Sequence, residues 1–128
     1  MDTSAIVAAA DRSDRWHSAA VSLLGTNEPP YLIPTGILAE ATYMLELRLG
    51  TSALSPFLLA LLEPPLELAA TEQDIDRIDR LAKRYANLPL GFADAAVVAC
   101  AERNGGLIMT FDSDFEVVAK EGTVSIAS

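Results

Sequence analysis

Apolar positions follow two rhythms along this chain: spacings of about three or four residues in some stretches, short unbroken runs in others. The first rhythm marks helices and the second marks short buried strands. Residues 14–25, DRWHSAAVSLLG, predict a helix with Ser13 or Asp14 as N-cap and Gly25 just past its end. After the loop NEPP, YLI at 31–33 is a strand, and residues 34–50 predict a helix entered at Pro34 and stopped by Gly50. Residues 51–63 predict another helix, packed on its predecessor as a hairpin, and LELAA at 66–70 a strand. Residues 71–87 begin with Thr71 and Asp74, a capping-box-like start, and repeat Ile75, Ile78, Ala82 and Tyr85 at helical spacing. A helix follows Pro89 and ends at Asn104-Gly105-Gly106, LIMT at 107–110 is a strand, DFEVVAK at 114–120 a short helix, and TVSIA at 123–127 the last strand.

Strands alternating with helices predict an α/β fold with a parallel sheet covered on both faces. Sites in such sheets form beyond the carboxyl ends of the strands. The length, 128 residues, suits one domain over 1–128, and 51% hydrophobic residues supply a continuous core. No apolar stretch reaches the roughly 18 residues of a membrane span, and no signal peptide is visible, so a cytoplasmic home is expected. Cys100 is the sole cysteine, which excludes an intrachain disulfide and an intrachain thiolate cluster. The net charge of −9 argues against a generic nucleic-acid binder. It leaves two readings: ordinary solubilising charge, or acids gathered at a site that needs cations.

Several acids stand where surface charge is not expected. Asp112 and Asp114 follow the apolar strand LIMT within one turn; Asp112, nearer the strand end, is the better ligand and Asp114 the better helix cap. Asp94 occupies the first turn of its helix, where the helix dipole favours an acid, yet it shares a face with Val97, Val98 and Ala101. Glu40 lies on the stripe of Ile37, Ala41 and Met44, and is read either as functional or as a partner for Arg48 or Arg103. Asp2 precedes a turn, Thr3-Ser4, that caps the helix after it. Converging carboxylates repel one another, and a divalent cation removes the conflict. An all-oxygen donor set suits Mg²⁺ or Mn²⁺, whose natural chemistry is phosphoryl transfer or phosphodiester hydrolysis.

The stretches DTSAIVAA at 2–9, LAEATYML at 38–45 and FADAAVVACAERNGGLIMTFDSDF at 92–115, in this order, resemble the PIN domain, in particular the VapC-type toxins of bacterial toxin–antitoxin pairs. The resemblance runs over nearly the whole chain, and the last stretch is its most specific part. It implies a three-layer α/β/α fold around a mostly parallel sheet of about five short strands. It also implies an Mg²⁺-dependent (or Mn²⁺-dependent) endoribonuclease that uses activated water and no protein nucleophile. Carried over residue by residue, the acidic set falls on Asp2, Glu40, Asp94 and Asp112, with Asp114 as a further member and Ser4 and Thr110 as polar neighbours. RNA is the implied substrate, a cognate antitoxin the implied partner, and a homodimer the implied assembly. The family places a strand ahead of the first acid; only Met1 stands there, so that strand is expected to be truncated and the natural chain to begin upstream.

Arg77, Arg80 and Arg84 have the spacing to track an RNA backbone, but Asp76–Arg80 and Asp79–Lys83 are also i,i+4 pairs in the stabilising order. His17, beside Trp16, Arg12 and Arg15, is read as a surface residue. The apolar hairpin from Ile37 to Leu62 is either core or a partner surface. Two other enzyme readings fail: the chain lacks the lysine of a receiver domain and the second acid of an aspartyl phosphatase start. A catalytically weak or inactive PIN-like binding module is the alternative.

Overall fold

Short parallel strands set the layout of the computed structural model, which describes residues 1–128. The order is α1 (Thr3–Ala10), α2 (His17–Thr26), β1 (Tyr31–Pro34), α3 (Leu38–Leu49), α4 (Leu54–Ala60), β2 (Leu66–Ala69), α5 (Ile75–Arg84), α6 (Phe92–Arg103), β3 (Leu107–Ile108), α7 (Asp114–Ala119) and β4 (Ser125–Ile126). Single 3₁₀ turns at Thr35–Ile37, Thr51–Ala53 and Glu72–Asp74 lead into α3, α4 and α5. β1 pairs with β2 in parallel, Tyr31 opposite Leu66 through Pro34 opposite Ala69. β3 pairs with β4, Leu107 opposite Ser125 and Ile108 opposite Ile126. Parallel pairing demands crossovers, supplied by α3 and α4 for the first pair and α7 for the second.

The α/β class is as the sequence predicts, but the sheet of about five strands is not. Four strands form two separate parallel pairs. Met1 and Asp2 lie between them: the Met1 ammonium donates to the Leu32 carbonyl at 2.7 Å, and the Asp2 N–H donates to the Met109 carbonyl at 3.2 Å. Two residues splice the pairs without building a ladder. A cavity of about 180 Å³ opens beside the splice, lined among others by Met1, Leu32, Cys100 and Ile108.

Other boundaries shift for local reasons. α2 begins at His17 and not at Asp14, because Asp14 accepts the Trp16 N–H at 2.8 Å in a turn of its own. Gly25 falls inside α2, which runs one residue further. Pro34 ends β1 in extended geometry and the α-helix proper waits until Leu38. Gly50, at φ 83°, stops α3 as expected, in a region other residues avoid. On α5 the buried stripe is Ile78, Leu81 and Tyr85, while Ile75 is exposed.

The helix α6 is buried from Ala95 to Ala101 without interruption and packs on α5, β1 and β3. A helix apolar all round belongs inside, and its alanines and valines let neighbouring backbones come close. Phe115, Ile33, Ile37, Leu45 and Ile108 fill the space around it. Cys100 is buried there as a small apolar residue.

Thr71 does not cap its helix. Its hydroxyl accepts the Gly36 N–H at 2.7 Å, and its own N–H donates to the Thr35 hydroxyl at 3.0 Å. This reciprocal latch ties the end of β1 to the end of β2 and fixes the entry to α3, which carries Glu40. Position 36 must lack a side chain, since a Cβ there would meet Thr71 at 2.9 Å. Thr71→Val removes the acceptor and leaves the Gly36 N–H unpaired, a loss of about 1–3 kcal/mol. Urea unfolding is expected to show a lower midpoint at unchanged slope, with Thr71→Ser close to wild type.

Candidate functional site

Asp2 is buried at 4% exposure, so its carboxylate needs donors. It has three: the Ser4 hydroxyl at 2.8 Å and the Ala5 N–H at 3.0 Å on one oxygen, and the Thr110 hydroxyl at 2.7 Å on the other. Asp2 is therefore itself the N-cap of α1, a role the sequence assigned to Thr3 and Ser4. Ser4 and Thr110 extend the network: the Ser4 hydroxyl accepts the Phe111 N–H at 2.9 Å, and the Thr110 hydroxyl accepts the Asp112 N–H at 3.0 Å. Burial pushes the Asp2 carboxyl up, against these hydrogen bonds and the Met1 ammonium.

Asp2, Glu40, Asp94 and Asp112 all line one open cavity of about 760 Å³. Asp94 comes from the first turn of α6, and Asp112 from the segment after β3. Glu40, in the first turn of α3, is exposed at the rim and not on an inward stripe. It pairs with neither proposed arginine: Arg48 bridges to Asp14 at 3.0 Å and Asp11 at 3.6 Å, and Arg103 bridges to Asp74. Asp112 lines the cavity, as expected of the acid nearer the strand end, but it also takes the capping contact expected of Asp114. Asp112 accepts the Asp114 N–H at 2.9 Å and so shapes the start of α7, while Asp114 sits in that helix's first turn and outside the cavity lining.

Burial, then the charges of Asp112, Glu40, Asp2 and Asp114, push Asp94 up to about 6. All five acids thus share one field. No three of them converge tightly enough to form a preformed cage. Like charges in a cavity open to water stay apart until a cation draws them in. No cysteine or histidine lines the cavity, so its donor set is oxygen.

Several cavity residues carry no functional signal in the sequence: Thr3, Arg15, Trp16 and Phe111. The Thr3 hydroxyl is buried without a partner. The arginine row on α5 is committed elsewhere. Arg80 and Lys83 make the i,i+4 pairs at 2.7 and 2.8 Å, Arg77 clamps Glu102 with two hydrogen bonds, and Arg84 binds Glu121. His17 packs its Nδ1 against the Ala8 carbonyl at 2.8 Å, away from this chemistry.

Parallel strands and a buried helix that deliver carboxylates into one open cavity define an α/β domain of the acidic-site class. The PIN domain profile matches residues 1–121, and the chain belongs to that family. The ribonuclease VapC26 of Mycobacterium tuberculosis is 29% identical over 104 residues, which cover 80% of this chain and 77% of that protein. The crystal structure of Mycobacterium tuberculosis VapC20, described as a Sarcin-Ricin loop cleaving toxin, matches with a TM-score of 0.82 over 91% of this chain and 92% of that one, at 22% identity.

The crowding has a measurable cost. The folded chain holds the Asp94 proton more tightly than the unfolded chain, whose carboxyl titrates near 3.8. Its contribution to stability is full below that value and is lost as pH rises through about 6. Without added metal, Asp94→Asn is expected to melt higher than wild type at pH 7.5, by about 1 kcal/mol after solvent screening or ~3–5 °C. The gain should vanish at pH 4. Scanning calorimetry at both pH values in chelator checks this.

Proposed function

We propose that this chain is a divalent-metal-dependent endoribonuclease, the toxin of a toxin–antitoxin pair. The observation that carries the reading is the placement of Asp2, Glu40, Asp94 and Asp112 around one cavity, with Asp94 pushed up to about 6 by burial and by its acidic neighbours. The names of its relatives, ribonuclease and loop-cleaving toxin, support the same chemistry. The acids fit Mg²⁺ or Mn²⁺ by donor type, and Asp2, Asp94, Asp112 and Glu40 would hold it, with Asp114 close behind. A cation held there would supply Lewis-acid stabilisation of phosphate charge and a water of lowered pKa for in-line attack on an RNA phosphodiester.

The chain's own residues do the rest. Ser4 and Thr110 fix both Asp2 oxygens by hydrogen bonds, so this carboxylate is oriented before anything binds. Ser4 also accepts from Phe111, which leaves its hydroxyl committed and not a free nucleophile. Asp94, pushed up to about 6, is mostly ionised at neutral pH, and a positive charge beside it would relieve the cost of that ionised form. Without that charge the acids repel the RNA backbone, which makes the metal a condition for substrate binding as well as for chemistry.

A second apolar cavity of about 410 Å³, lined by Ile6, Ala10, Leu24, Leu45, Leu49 and Phe57 among others, supports a protein partner, as do the exposed Tyr43, Leu47, Leu59 and Leu62. We assign the cognate antitoxin and a second copy of the chain to these faces. No helix is long and apolar enough to cross a membrane, and a cytoplasmic location follows from the RNA substrate. The inactive-module alternative draws on the spread of the acids, none grouped in threes at ligating distance.

Purified protein with total cellular RNA and Mg²⁺ is expected to yield discrete fragments. EDTA should abolish them, and Asp94→Asn should slow their appearance by roughly 100-fold or more. Intact RNA in all lanes favours the binding module.

A further inference from the structure

Beside the acids lies a feature the chemistry above does not use. The Trp16 and Phe111 rings stack with centroids 5.3 Å apart and planes 7° from parallel. The Arg15 guanidinium lies 4.7 Å from the Trp16 ring centre. Trp16 keeps 40% of its surface exposed, although burial would be the cheaper place for an indole. All three residues line the same cavity as the four acids.

The stack is held in place from both sides. Asp11 accepts from the Ser13 N–H and hydroxyl, Asp14 accepts from the Trp16 N–H, and Arg48 of α3 bridges both aspartates. Phe111 is fixed by its N–H to Ser4, which in turn holds Asp2, and it immediately precedes Asp112. The aromatic pair is therefore in register with the acids. The charge pattern agrees. Of the nine lysines and arginines, six sit in ion pairs; the free ones are Arg12, Arg15 and Lys120, and two of these belong to this loop. In a chain of net charge −9, one unpaired cation, Arg15, lines the cavity and a second, Arg12, lies in the same loop.

We propose that Trp16, backed by Phe111 and flanked by Arg15, is a nucleobase-stacking platform that seats the base beside the phosphate to be cut. The proposal deepens the ribonuclease reading and rests on it for the word cut. An unstacked base from single-stranded RNA takes the guanidinium's place on the indole, and the guanidinium moves to the adjoining phosphate. A purely structural stack would need neither a 40% exposed indole nor an unpaired Arg15 lying over it.

Trp16 is the only tryptophan, so its fluorescence reports the platform directly. The wild-type protein, with Ca²⁺ in place of Mg²⁺, is titrated with a single-stranded RNA octamer and with an octamer of abasic ribose phosphates. The expected result is quenching by the RNA, with the abasic chain binding about 10-fold or more weakly. In otherwise wild-type protein, Trp16→Ala should raise KM about 10-fold with little change in kcat, Trp16→Phe should restore most of it, and Arg15→Ala should flatten the salt dependence by about 0.7. Equal binding and equal fluorescence change with both octamers overturns the platform. So does wild-type KM in Trp16→Ala. The octamer comparison leaves Trp16 intact, so it decides even where Trp16→Ala fails to fold. Quenching by RNA alone, in a wild-type chain that cuts nothing with Mg²⁺, sustains the platform and rejects the nuclease.

Discussion

A carboxylate buried at the second residue must be satisfied, and the region around the site is arranged to satisfy it. Asp2 takes donors from its own helix and from Thr110, 108 positions away. Its backbone N–H closes on Met109 and the Met1 ammonium closes on Leu32. One short segment thus joins the first parallel pair to the second, starts α1, and aims a charge at the cavity. Losing any of these donors would leave a buried anion short of partners, a costlier defect than a missing surface contact.

The same economy governs the other charges. Arginines on α5 and α6 are spent on neighbouring carboxylates. Asp2, Glu40, Asp94 and Asp112 receive no arginine. Their mutual repulsion, with burial, is registered by Asp94 in its affinity for a proton, and the proposed cation would relieve it. Stability is given up locally where chemistry is expected, as functional sites commonly require.

What the sequence made legible follows from range. α6 was readable because a continuous run of small apolar residues carries its own signal, and Asp94 stood out as an acid on it. Asp112 was readable from its place after an apolar strand. Thr71 was misread: its capping-box spacing is local, while the Gly36 N–H that claims its hydroxyl lies 35 residues away. The start of α2 was misread because Asp14 looks like a cap, and a turn was the stronger use of its side chain. The fifth strand was the one expected ahead of Asp2: Met1 and Asp2 make one backbone hydrogen bond to each parallel pair and build no ladder, and only two residues each of the runs around β3 and β4 enter one. Trp16 and Phe111 were invisible as a pair, being 95 positions apart and joined only by the fold.

The central claim is that the four acids share one cation. Crystals soaked in Mn²⁺ and measured at the manganese absorption edge test it directly. The account predicts an anomalous peak in the cavity, within about 2.0–2.3 Å of carboxylate oxygens from Asp94 and at least one of Asp2, Asp112 and Glu40. A peak confined to surface acids such as Asp76 or Asp79, with the cavity empty at saturating Mn²⁺, would contradict it.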